Sequence, residues 1–358
     1  MSLDTGAVYK KFDPEDVGYG IEQLPEQIRL AWHDTRELVF PAAYGQIDRV
    51  IVAGMGGSSL GAHAALSVLH DRLTVPVTIL RDYDLPKWAD KRTAVVLSSF
   101  SGTTEEVLAV GQAAKKRGCK LIVSATGGDL ESFASAHKLP AYIFHPGELA
   151  KQPRFATGFS FVGMLGIFER LGLCKIKEEE IMLMANAMSE VIDSCAVDVS
   201  LEDNPAKQVA TALKGKLVMI VTGGHLAGVA HTLQNHFNET SKQMSFYVEL
   251  PEMNHHLLES FVYPTTAVSA SCALMLRSAL YHERVQKRFV ITADLLESAG
   301  LEVIDYEAHG ATLLEEAGEV LQFGSYVGWY LAMLNKVNTT EIPYVKLLKE
   351  RMGGSKKS

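Results

Sequence analysis

Short apolar runs, each closed by glycine or a polar cluster, alternate along the chain with stretches whose apolar positions are spaced for a helix. Residues 49–54 (RVIVAG) are rich in β-branched side chains and end in glycine, the pattern of a strand buried on both faces. A helix is predicted over 60–69 and a second strand over 75–80. A third strand covers 93–98 (TAVVLS), a helix 104–117, and further strands 121–124 and 141–144, with Pro146 closing the last. Such alternation predicts a mainly parallel sheet flanked by helices. The opening, to about Tyr44, reads as irregular chain plus one helix over 24–39.

From 155 to 195 the pattern is helical, broken near Gly172 and Lys175, and reads as a connector. A second alternation follows: strand 217–222 (LVMIVT), helix 227–241, strands 244–250 and 267–274, then a helix, a strand and a long helix to about Leu334. A short terminal helix is expected over 343–352, and the basic end GGSKKS should fray. The segments VIVAGMGGSSLGAHAAL and LVMIVTGGHLAGVAHTL are each a strand, a di-glycine and a helix rich in Ala and His, which suggests one fold used twice. The expected fold class is α/β, with an N-terminal subdomain over 1–150, a helical connector over 151–200, a C-terminal subdomain over 201–342 and a terminal helix and tail over 343–358.

Composition narrows the chemistry. With 358 residues, 47% hydrophobic and 21% charged, the chain has enough core for two domains. A net charge of -8 argues against nucleic-acid binding but leaves room for a local anion pocket. The four cysteines are scattered without C-x-x-C spacing, so neither a zinc knuckle nor a disulfide framework is indicated, and a reducing compartment fits. The N-terminus lacks the apolar core of a signal peptide. The apolar stretch over 267–276 is too short and too broken by serine to span a bilayer. A cytoplasmic protein with no membrane contact is expected.

Two loops carry candidate chemistry. The first, Gly54-Met55-Gly56-Gly57-Ser58-Ser59-Leu60-Gly61, joins a strand to a helix, and its glycines would present bare N–H groups at a helix start, where an anion is favoured. A dinucleotide site is the rival, with Asp82 placed roughly where a ribose-binding acid would lie. Ser59, however, stands where G-x-G-x-x-G needs its third glycine. The second loop, Ser98-Ser99-Phe100-Ser101-Gly102-Thr103-Thr104-Glu105-Glu106, gathers hydroxyls at the next helix start. A capping box of Thr103 with Glu106 would use one of them. The excess suits the oxygens of a phosphate.

These segments resemble the sugar isomerase (SIS) domain, and the wider pattern resembles the bifunctional phosphoglucose/phosphomannose isomerases. Further matches are Pro153-Arg154-Phe155, the segment with Asn238, Glu239 and Lys242, the run from Leu250 to His255, and the LLK before the C-terminus. The resemblance implies that Gly57, Ser58, Ser99, Ser101 and Thr104 hold a hexose-6-phosphate. It also implies reversible isomerisation of glucose-6-phosphate, and of mannose-6-phosphate, to fructose-6-phosphate through a cis-enediol, with no cofactor and no metal. Such chemistry needs a base to move a proton between C1 and C2, an acid/base to open the ring, and a cation for the enediolate. By resemblance Glu239 is the base, His255 and Lys349 open the ring, and Arg154 is the cation. His255 would reach the active site of a partner subunit, implying a homodimer. His255-His256 could suggest a metal, but adjacent histidines point apart and no ligand spacing supports a site.

The chain also departs from the family pattern. His256 and Leu257 follow His255 where an Asn and an acid are usual, and Asn338-Thr339 replaces the usual Asp-Pro. Either Thr339 or Thr340 could be the threonine associated with mannose phosphates. The alternatives are a ketosamine-type isomerase and a sugar-phosphate sensor without turnover.

Overall fold

The computed structural model describes residues 3–353. The basic end that was expected to fray lies almost wholly outside them. The chain opens with three helices, α1 (Gly6–Phe12), α2 (Val17–Glu22) and α3 (Leu24–Thr35). Two of these were read from sequence as irregular chain. Their order comes from long-range contacts: Tyr9 of α1 stacks on Trp329, ring centroids 4.8 Å apart, far along the chain.

The first half then runs β1 (Arg49–Ala53), α4 (Gly57–Val68), β2 (Val77–Leu80), β3 (Thr93–Ser99), α5 (Glu105–Lys116), β4 (Lys120–Ala125), α6 (Gly128–His137) and β5 (Ala141–Ile143). All pairings are parallel, in the order β2-β1-β3-β4-β5. Successive side chains of a strand face opposite ways. Val50 and Val52 therefore enter the large core shared with α7 (Thr157–Arg170), while Ile51 and Ala53 enter a smaller core under α5 and α6.

After α8 (Glu178–Cys195) and α9 (Pro205–Leu213) the second half begins with β6 (Leu217–Gly223), α10 (Ala227–Glu239), β7 (Ser245–Leu250), α11 (Thr265–Ser269) and β8 (Ser271–Ser278). It ends with α12 (Glu283–Ser298), β9 (Glu302–Ala308), α13 (Leu313–Asn335) and α14 (Pro343–Arg351). Its sheet is also parallel, in the order β7-β6-β8-β9. That order repeats β2-β1-β3-β4, so the weak sequence echo marks a true architectural repeat. The strand expected over 267–274 is displaced: residues 265–269 close a helical turn after Pro264, and the strand starts at Ser271. Periodicity alone does not mark where within such a run the strand begins.

Helix α13 is buried along nearly its whole length and mostly apolar, and its buried Glu316, Glu319, Gln322 and Ser325 are hydrogen-bonded. Among the described residues no helix is long and apolar enough to cross a membrane.

Candidate active site

In an open parallel sheet, ligands bind beyond the carboxyl ends of the strands, where neighbouring strands send their connections opposite ways. In the order β2-β1-β3 that point lies between β1 and β3, which places the two hydroxyl-bearing loops side by side. They are stitched together. The backbone N–H of Phe100 donates to Ser58 Oγ at 2.9 Å, and Ser98 Oγ donates to the Ser58 carbonyl at 2.8 Å. Ser99 Oγ and Thr104 Oγ1 lie 2.7 Å apart, and the N–H of Gly102 donates to Ser99 Oγ at 3.1 Å.

The turn depends on Gly102, whose φ of +69 is left-handed; a Cβ there would meet the Gly127 carbonyl oxygen at 1.9 Å. Helix α5 starts at Glu105 with Thr104 as its N-cap residue and no side-chain capping bond. Capping therefore does not consume the loop's hydroxyls. Ser101 is exposed at its tip.

No sequence pattern marks Arg81. It follows β2 directly, and its Nε donates to Ser59 Oγ at 3.1 Å, bringing a cation to the first loop. The only signal was its position after a strand that turns out to neighbour β1. Asp82, the rival's ribose acid, instead accepts from the backbone N–H of Tyr83 at 2.7 Å in a local turn.

Against the first loop lies the turn Pro153–Phe155. An ideal Cβ on Gly57 would sit 3.4 Å from the Pro153 carbonyl oxygen and 3.7 Å from the Arg154 nitrogen. Arg154 is buried, yet its guanidinium is held from several sides. Its Nη2 donates to the carbonyls of Thr339 and Thr340 at 2.7 and 2.8 Å, and Nη1 lies 3.7 Å from Glu239 Oε2. Burial lowers its pKa, while Glu239 and Glu15 oppose that shift. Thus the phosphate-type loops, a fixed cation and a carboxylate share one place.

Helix α10 positions Glu239, its last residue, and also holds the partner of that pair. One turn earlier His236 is fully buried, and its Nε2–H donates to the Arg154 carbonyl at 2.7 Å. Burial pushes His236 down to about 4, so the ring is neutral, with Nδ1 turned to Ser325 Oγ at 3.3 Å. Beyond the helix Lys242 adopts a left-handed φ of 52, and its Nζ donates to the carbonyls of Glu239 and Asn338. Desolvation first, then the nearby Arg154, lowers Lys242 to about 8. No local pattern advertised His236, although it lies three residues before Glu239 on the buried face.

The loop supplying carbonyls to Arg154 and Lys242 is itself fixed. Thr339 Oγ1 donates to Asp13 Oδ1 at 2.7 Å, and Thr340 Oγ1 lies 2.9 Å from Glu15 Oε1. Asp13 also accepts from the N–H groups of Val17 and Gly18 and from Trp329 Nε1. Thr340, unlike the fully buried Thr339, borders a cavity of about 300 Å³ with Glu15, Tyr19, Gln152 and Phe155.

His255 and Lys349 make no contact with the Glu239–Arg154 pair among the described hydrogen bonds and ion pairs. His255 is exposed in a short turn after β7, beyond the carboxyl end of that strand. Glu239 precedes the amino end of β7, and a six-residue strand spans about 20 Å. Lys349 lies on α14, which buries none of its residues, and so does Lys346 one turn earlier. Among the described residues no group of three or more His, Cys, Asp or Glu side chains could hold a metal ion.

The sequence model described as the bacterial phospho-glucose isomerase C-terminal SIS domain matches residues 202–352. Over 333 residues the chain is 30% identical to a Caldicellulosiruptor bescii protein named bifunctional phosphoglucose/phosphomannose isomerase, covering 93% of this chain and 97% of that one. The chain belongs to the bifunctional phosphoglucose/phosphomannose isomerase family. A relative of that name from Thermoplasma acidophilum is 26% identical over 310 residues, covering 86% of this chain and 91% of its own. The solved structure of a hypothetical protein from Thermus thermophilus superposes with a TM-score of 0.74 at 17% identity, covering 97% of this chain and 93% of that one. That likeness shows a shared overall fold.

Proposed function

We propose that the protein interconverts glucose-6-phosphate and mannose-6-phosphate with fructose-6-phosphate. The observation that carries this reading is the Glu239–Arg154 pair standing beside the hydroxyl-lined loops. Gly57, Ser58, Ser99, Ser101 and Thr104 take the phosphate, using neutral donors and the start of α5. Once the ring is open, Glu239 removes the proton from C2. The C–H electrons form the C1–C2 double bond, and charge develops on O1. Arg154 stabilises that charge from a fixed position that needs no reorganisation. The hydroxyl proton of O2 passes to O1, and Glu239 returns its proton to C1 as O2 becomes the ketone.

Ring opening requires a proton delivered to O5 and one removed from the C1 hydroxyl. His255 and Lys349 are assigned these transfers. Since Glu239 and His255 lie beyond opposite ends of β7, the arrangement favours a homodimer in which His255 enters the partner's site. Thr340, at the cavity edge beside Arg154, is the threonine assigned to mannose phosphates. Four buried free cysteines support a cytoplasmic setting.

A coupled assay following glucose-6-phosphate formation from fructose-6-phosphate, repeated with mannose-6-phosphate, tests the reading. Binding of fructose-6-phosphate without turnover would make the protein a sensor instead.

A further inference from the structure

The second half repeats the frame of the first, down to its ligand end. Strand β6 stands where β1 does, β8 where β3 does and β9 where β4 does. The loop after β6 has its left-handed glycine, Gly224 at φ 47, as the loop after β1 has Gly56 at φ 49. Strands β3 and β8 both end in serine, Ser99 and Ser278. In the first half no carboxylate is hydrogen-bonded to Ser58, Ser99 or Thr104 among the described residues, and the hydroxyls of Ser99 and Thr104 bond one another. In the second half this end is closed by a carboxylate.

Glu316, near the start of α13, is buried to 1% exposure. Its Oε2 accepts from Ser278 Oγ at 2.5 Å and from His225 Nε2 at 2.6 Å. His225 directly follows Gly224, so these donors come from the two loops equivalent to the phosphate-type loops. The Tyr281 ring covers His225 at 5.3 Å between centroids. One turn along α13, Glu319 accepts from the backbone N–H groups of His309 and Gly310, after β9, and from the Tyr306 hydroxyl. Two carboxylates of one helix thus occupy the donors at the carboxyl end of the second sheet.

We infer that the C-terminal half keeps a latent oxyanion site and that Glu316 is its resident anion, standing where the N-terminal half takes a substrate phosphate. This inference rests on reading the first-half loops as the phosphate site. A buried hydroxyl and imidazole aimed at one point require an anionic or strongly accepting partner. A carboxylate on α13 supplies it permanently and ties the central helix to both loops. The carboxyl end of the second sheet is thereby committed to architecture, and the chain binds one sugar phosphate.

Equilibrium dialysis with radiolabelled inorganic phosphate tests this by counting sites. The wild-type chain is expected to bind one phosphate, Glu316→Ala two, and Glu316→Gln, which keeps the side-chain volume, one. The melting temperature of Glu316→Ala should fall below that of the wild type and recover with phosphate, because an anion bound only by the folded state stabilises it. Two phosphates on the wild-type chain, no added site in Glu316→Ala, or failure of that variant to fold even in high phosphate would each overturn the inference. No phosphate on the wild type but one on Glu316→Ala would support the oxyanion site at Glu316 and overturn its equivalence to a first-half phosphate site.

Discussion

Glu239 Oε2 lies 3.7 Å from Arg154 Nη1, and the same helix that ends at Glu239 fixes the Arg154 backbone through His236. Acid/base group and cation are therefore placed by one rigid element. Replacing Glu239 by Gln preserves shape and removes the base. Substrate binding should persist while C2 proton exchange with D₂O disappears, and kcat should fall by about 10²–10⁴-fold. NMR of deuterium incorporation checks this, and normal exchange would remove Glu239 as the base.

Separation of Glu239 and His255 by the length of β7 gives a subunit-mixing test. Neither Glu239→Gln nor His255→Ala should be active alone. In a homodimer that shares residues across subunits, an equal mixture should regain about a quarter of wild-type activity, since half the dimers are mixed and each has one intact site. No recovery after verified exchange would place His255 in its own chain's site or outside catalysis.

Ser101 and Thr104 are proposed to grip the phosphate and not to transfer protons. Ser101→Ala and Thr104→Ala should each raise KM several-fold, a loss of about 1 kcal/mol, with smaller change in kcat. Unchanged KM in both would mean that the loop merely shapes the start of α5.

Asp13 acts at a distance. Its carboxylate accepts four hydrogen bonds, one from Thr339, whose own carbonyl holds Arg154. Asp13→Asn should lower unfolding free energy by about 2 kcal/mol or more, because buried donors lose their acceptor. It should also lower kcat more than it raises KM. Denaturant titration and steady-state kinetics separate the two effects.

His236 predicts a pH dependence. Burial holds its folded-state pKa at about 4, against about 6.5 in the unfolded chain. Its contribution to stability is therefore complete above pH 6.5 and is lost as pH falls towards 4, because the unfolded chain gains the proton first. The full swing is on the order of 3 kcal/mol. His63 and His231, also pushed down to about 4 chiefly by burial, share this slope. His236→Gln, which can still donate to the Arg154 carbonyl, should flatten the stability profile between those limits by about a third. Chemical denaturation from pH 4 to 7 measures it.

The alternation of strand and helix, the repeat and the two hydroxyl-bearing loops were legible in the sequence. Each is a short-range pattern: apolar periodicity for the elements, glycine where φ must turn positive, hydroxyls clustered at a helix start. The helices α1 and α2, the start of β8, and the roles of Arg81, His236, Asp13 and Glu316 were not. Each of these depends on a partner distant in the chain, as Asp13 does on Trp329 and Thr339, and Glu316 on His225 and Ser278. A carboxylate or imidazole in a sequence carries no sign of whether water or a buried donor will surround it. Local order decided which elements form and where hydroxyls cluster at a helix start. Only packing decided which cation stands beside Glu239, which donors are already satisfied, and that His255 lies beyond the far end of its own sheet from the base it is proposed to serve.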